Sequence, residues 1–202
     1  MIVAAMNQTE MYRELRSGYN SIERKLSGLT TKLRRKAIKE KSRITSFDYV
    51  DPNQNKWFIH VLFDKKNYIT IPFLYYHDEN NRLAALRIHQ GTGECEAFTS
   101  HFFSRFDERL NLKCSNTLEK MKIYFLMALN VNIEEGKDCR FHSELPCGVG
   151  FGHRVSKCWL QYKTFVSHDM LQGQQKDTSH KLRGDAPVLL LDDRLLTIAR
   201  AS

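Results

Sequence analysis

A chain of 202 residues, 42% hydrophobic and 11% aromatic, has material for one domain of ordinary size, with or without an added helical arm, and excludes wholesale disorder. The formal net charge of +8 points to an anionic partner, nucleic acid ahead of a membrane surface. No apolar run approaches the roughly 18 residues of a spanning helix, and the first residues lack the basic segment and apolar length of a signal peptide.

Residues 7–43 read as one or two helices, with Asn7 or Thr9 as cap and Met11, Tyr12, Leu15, Tyr19, Ile22, Leu26 and Leu29 at three- and four-residue spacing. Between Arg24 and Arg43 stand nine Lys or Arg against one acid, Glu40. Lys32, Arg34, Arg35, Lys36, Lys39, Lys41 and Arg43 are therefore the candidate nucleic-acid contacts, the alternative being a solvated helix face. The cluster Asp51-Pro52-Asn53-Gln54-Asn55 is a turn, after which the pattern changes to strands at 57–63, 68–76 and 82–90, with 95–100 as a possible fourth. Trp57, Tyr68, Phe73, Tyr75 and Tyr76 are expected in the core of this meander rather than stacked on bases.

FTSHFFSRFDERL (98–110) predicts an amphipathic helix over 101–112. Counted from His101, Arg105 falls at about 40°, Glu108 at about −20° and Arg109 at about 80°, beside an apolar wall of Phe102, Phe103, Phe106 and Leu110. A second, strongly apolar helix is expected over 117–135, stopped at Gly136. GVGFGHRV (148–155) and CWLQYKTFVS (158–167) read as a hairpin whose Gly148, Gly150 and Gly152 admit close approach of a backbone or ligand. Alternation sends Gln161, Lys163 and Phe165 one way and Tyr162, Thr164 and Val166 the other. His153, Arg154, Lys163, Thr164 and His168 gather around this hairpin. Residues 173–185 resemble a loop, and 187–200 a terminal helix or strand.

Five cysteines, Cys95, Cys114, Cys139, Cys147 and Cys158, contain no C-x-x-C pair, so reduced thiols in a soluble cytoplasmic protein are expected. The tightest potential ligand set, Cys139, His142 and Cys147 with Cys158 or His153, lacks a standard spacing, and no metal or cofactor is expected. Phosphate-binding, dinucleotide, H-E-x-x-H and G-x-S-x-G signatures are absent.

The His101, Arg105, Glu108, Arg109 set suits RNA cleavage by 2′-OH attack. That reaction needs a proton acceptor, a proton donor for the leaving oxygen and cations for the charge gathering on phosphorus. The plain alternative is an exposed helix face with an Arg105–Glu108 pair. A helix carrying H-x3-R-x2-E-R, followed by antiparallel strands with a late Thr, resembles the RelE- and BrnT-like ribonuclease toxins and their relatives of unknown function, grouped with barnase and colicin nucleases. The resemblance implies a helix packed on a curled sheet, metal-independent RNA cleavage, and site roles for His101, Arg105, Glu108, Arg109 and Thr164.

The expected fold is α+β: a basic helical arm over 1–50, and a single domain over 51–202 with an antiparallel sheet of five or six strands and two packed helices. The expected partner is nucleic acid, RNA first, with no membrane. The apolar stripe of the first helix could pack on its own sheet, on a protein partner or on a second copy. Three functional readings stay open: a metal-independent ribonuclease, a non-catalytic accessory protein that binds nucleic acid or protein, and a purely structural intracellular domain whose charge aids solubility.

Overall fold

The computed structural model describes residues 1–64, 67–89, 91–128 and 133–171. The readings at 173–185 and 187–200 lie outside them. The chain forms two compact units, Met1–Ile88 and a second that starts at His89.

In the first unit, α1 (Gln8–Lys39) is one unbroken helix. Asn7 caps it through a reciprocal box, its side chain accepting from the Glu10 backbone N–H while the Glu10 carboxylate accepts from the Asn7 N–H. Four strands come next as an antiparallel meander in chain order: β1 (Ile44–Val50), β2 (Lys56–Asp64), β3 (Asn67–His77) and β4 (Leu83–Ile88). Met11, Leu15, Gly18, Ile22 and Leu26 recur every three or four residues, and all are buried. Each large apolar side chain among them contributes about 1.5–3 kcal/mol by leaving water.

The docking point is Gly18, where an added Cβ would stand 2.2 Å from Trp57 Cζ2. Trp57 is fully buried, and its indole N–H donates to Asp51 at 2.9 Å. Asn55 donates to the same carboxylate from its backbone (2.9 Å) and its side chain (3.0 Å), so the turn closes around a buried acid satisfied by three donors. Trp57 and Phe73 lie in the core as expected, whereas Tyr68 is exposed.

In the second unit, β5 (Cys95–Phe98) leads into α2 (Ser100–Leu110), α3 (Thr117–Met127), β6 (Ile133–Glu135), β7 (Arg140–Leu145), β8 (Gly148–Ser156) and β9 (Trp159–Ser167). The lateral order is β5-β9-β8-β7-β6. β5 runs parallel to β9, because two helices and three strands intervene before the chain returns beside it. Nine strands are thus described rather than five or six, and one pairing is parallel, so the purely antiparallel expectation is corrected.

The helix expected over 117–135 ends at Met127, and its last residues instead form β6. Asn130-Val131-Asn132-Ile133 is a run of weak helix formers, and Glu134 and Glu135 pair with His142 and Phe141 of β7. Gly136 closes the β6–β7 turn by donating to the Arg140 carbonyl at 2.8 Å; it does not stop a helix.

The core here is aromatic. Phe98 stacks on Tyr162 (centroids 4.3 Å apart, planes at 15°), and Phe102, Phe106, Tyr124 and Phe165 meet edge to face around them. The glycines of β8 are the floor beneath these rings. A Cβ at Gly152 would lie 2.4 Å from the Phe141 ring, and one at Gly148 equally close to Phe165. The close approach expected at these positions is made by the protein's own rings.

Candidate functional site

Thr99 caps α2, its hydroxyl accepting from the Phe102 N–H at 3.3 Å, and Asn111 ends it in the left-handed conformation. Phe102, Phe103 and Phe106 are fully buried, which turns the opposite arc outward. His101 is exposed at the second position of the helix, Glu108 is exposed one face along, and Arg105 and Arg109 are half-buried. Arg105 donates to Glu108 at 2.7 Å, the i,i+3 pair that the spacing allows. With side chains 41% and 63% exposed, it adds little to stability.

Arg109 takes a different partner. Its Nη1 lies 3.5 Å from Thr164 Oγ1 on β9, so the helix motif and the late threonine meet across 55 residues of chain.

A register shift lets β9 track this helix. Gly152 pairs with Tyr162 and Phe151 with Thr164, leaving Lys163 as the extra residue of a bulge. Tyr162 and Phe165 consequently both reach Phe102, with centroids at 5.6 and 6.4 Å, although strict alternation would point them apart. The expected facing of Tyr162 and Phe165 is corrected on this point.

Asp107 ties α2 to α3 and to the turn between them. Its carboxylate accepts from the Cys114 backbone N–H at 3.0 Å and pairs with Lys120 of α3 at 3.1 Å. Partial burial works against the charged form of Asp107, but these donors and the Lys120 charge outweigh it and hold its pKa below the usual carboxylate value. The same surroundings, burial first and then Asp107, push the Cys114 thiol up to about 12.

The other late residues are placed apart from α2. His153 is exposed on β8, and Arg154 is held between Glu94 and Glu135. His168 Nε2 lies 3.1 Å from the Leu145 carbonyl and 3.6 Å from the buried Glu144 carboxylate. Among the described residues, no group of three or more His, Cys, Asp or Glu is placed to hold a metal ion.

Of the basic set at the end of α1, Lys32, Arg35, Lys36, Lys39, Lys41 and Arg43 lie at the surface, with Lys36 at 4.0 Å from Glu40. Arg34 is occupied in packing. Its guanidinium lies 4.8 Å over the Phe63 ring, and its Nη2 donates to the Asn67 carbonyl at 3.1 Å. No described helix is long and apolar enough to cross a membrane.

Compared with known proteins, the chain is matched by no family model, no curated protein and no solved structure.

Proposed function

We propose that this chain acts on nucleic acid, RNA before DNA, as a metal-independent ribonuclease of toxin type. The observation that supports this most is the Arg109–Thr164 approach at 3.5 Å, a half-buried cation and a half-buried hydroxyl side by side where α2 meets β9. Both can donate to one phosphate oxygen, the arginine with charge assistance. In this reading the ribose 2′-oxygen attacks the adjacent phosphorus and the bond from phosphorus to the 5′-oxygen breaks. His101 or Glu108 takes the 2′ proton, and a proton is returned to the leaving 5′-oxygen. Arg105 and Arg109 balance the charge on the non-bridging oxygens.

The test is RNA cleavage by the purified chain in chelator. His101→Ala with Arg105→Ala removes a proton carrier and a cation from an exposed face, so cleavage is lost while the fold persists. Cleavage undiminished in that double variant removes α2 as the site.

A second reading, a non-catalytic accessory protein, draws on the surface cations Lys32, Arg35, Lys36, Lys39, Lys41 and Arg43 at the end of α1. Neutralising Lys32, Arg35, Lys39 and Lys41 together would then remove salt-sensitive binding without touching any cleavage.

A further inference from the structure

The register of the second unit lines up residues that lie far apart in sequence. Glu134 pairs with His142, His142 with Phe151, and Phe151 with Thr164, so these four share one face of the sheet. In the adjacent row Arg140 pairs with His153 and His153 with Gln161. Alternation sends their neighbours Phe141, Gly152 and Tyr162 to the other face, where Phe141 and Tyr162 pack at 4.8 Å and Tyr162 meets Phe102 of α2.

The His142–Phe151 part of this face therefore lies opposite the one that Tyr162 and Phe165 pack against α2, and Arg109 of α2 meets it at Thr164. Arg140 and His153 are exposed on it, Phe151, His142, Gln161 and Thr164 are half-buried, and the bulged Lys163 stands exposed at its side.

Charge on this face is unbalanced. Glu134 lies 3.1 Å from the His142 ring and keeps its charge, outnumbered by the cations beside it, and Glu144, further along β7, is buried and faces His168. Arg140, Lys163 and, through Thr164, Arg109 remain around a half-exposed aromatic ring. The ring of His142 extends that surface, its centroid 6.2 Å from that of Phe151 at a tilt of 36°.

A flat ring on a sheet, with Arg140 in the next row and Lys163 and the Arg109-bonded Thr164 on the neighbouring strand, suits unpaired bases. The ring stacks any base face, and the cations take the phosphates. A duplex offers no free base face, and an acidic peptide would leave the rings without a matching partner. Three strand spacings cover about 14 Å, enough for two or three nucleotides.

We propose that this face is a platform for single-stranded RNA, with a base stacked on Phe151 and phosphates held by Arg109, Arg140 and Lys163. The proposal rests on the nucleic-acid reading above and deepens it by naming the surface and the strandedness.

The test uses the whole chain and a labelled 2′-O-methyl oligoribonucleotide, which 2′-OH attack cannot cleave, with fluorescence anisotropy read over a salt series. A duplex of the same sequence runs beside it. Phe151→Leu keeps an apolar side chain on the strand but removes the flat ring. It is expected to weaken single-strand binding at least about fivefold and to leave duplex binding unchanged. Arg140→Gln with Lys163→Gln, both at exposed positions, is expected to weaken binding and lower the logarithmic salt slope by about 1.4.

If the wild type binds the single strand and all these variants bind it equally, the platform is wrong while the nucleic-acid reading stands. If the wild type binds neither single strand nor duplex, both fall. Equal loss of a glutamate-rich peptide in the same variants would reassign the face to an acidic protein and overturn the proposal. Should Phe151→Leu fail to fold, the Arg140/Lys163 pair alone decides.

Discussion

Arg109 on α2 and Thr164 on β9 approach to 3.5 Å. At that length the contact is a weak hydrogen bond, and it holds little of the fold together. Thr164→Val keeps the shape and removes the hydroxyl. Its unfolding free energy should stay within about 1 kcal/mol of wild type. RNA cleavage should fall by about tenfold or more if the hydroxyl contacts the phosphate in the transition state. Thermal unfolding and an RNA-cleavage assay on one preparation check both halves.

Two glycines of α1 should respond oppositely to the same change. At Gly18 a Cβ would stand 2.2 Å from Trp57 and 2.9 Å from Asp51 Oδ2, while at Gly28 nothing lies within 4 Å. Alanine gains about 1 kcal/mol of helix propensity at either position. At Gly18, displacing a fully buried tryptophan that is tied to Asp51 outweighs that gain, for a net loss of about 1–3 kcal/mol. Gly28→Ala should stabilise by about 0.5–1 kcal/mol. Denaturant midpoints of the two variants decide; equal shifts would contradict the docking described for α1.

Stability should decline in acid for a nameable reason. Burial favours the neutral form of Glu94, but hydrogen bonds from Arg154 and Thr92 and the Arg154 charge outweigh it and hold its folded pKa down. Asp107 is depressed in the same sense. A depressed carboxylate contributes stability that is complete above the unfolded value, about 4, and lost as pH falls through the folded value. Unfolding midpoints should therefore be flat from neutral pH down to about 5 and fall below it. Arg154→Gln with Lys120→Met should flatten that acid limb. An unchanged limb would show that other carboxylates govern it.

Cysteine reactivity should track placement. Cys139 and Cys158 are exposed, Cys95 is fully buried with its thiol pushed far up, first by burial and then by Glu96, and Cys114 sits at about 12. The thiolate is the nucleophile, so a limiting alkylating agent near pH 8 should label Cys139 and Cys158 first, and Cys95 and Cys114 last. Peptide mass mapping reads the order; early labelling of Cys114 would contradict its pairing with Asp107.

Elements with short-range signals were legible in the residues. The α2 helix announced itself through Phe102, Phe103 and Phe106, and the β8–β9 hairpin through two apolar runs around a tight turn. β1 was missed, because Ile44-Thr45-Ser46-Phe47-Asp48-Tyr49-Val50 mixes polar and apolar residues without a clean period. β6 was hidden by an apolar helix whose pattern runs on into it. The Lys163 bulge inverts the phase of β9, and no local rule shows where a strand takes an extra residue.

The candidate site divides along the same line. His101, Arg105, Glu108 and Arg109 share an arc through helical geometry alone. Their meeting with Thr164 entered only through the toxin resemblance, since a contact across 55 residues has no periodic signature. The row from Glu134 through His142 and Phe151 to Thr164 was invisible for a stronger reason. It depends on the register of three strand pairs at once, and a one-residue slip in any of them would dissolve it.

The most direct test of the proposed chemistry is the fate of a labelled RNA incubated with the purified chain in excess chelator. Metal-independent 2′-OH attack predicts cleavage there, products ending in 2′,3′-cyclic phosphates, and loss of that cleavage in Arg109→Gln/Thr164→Val at unchanged fold. RNA left intact by the wild-type chain, or cut equally by the double variant, would contradict it.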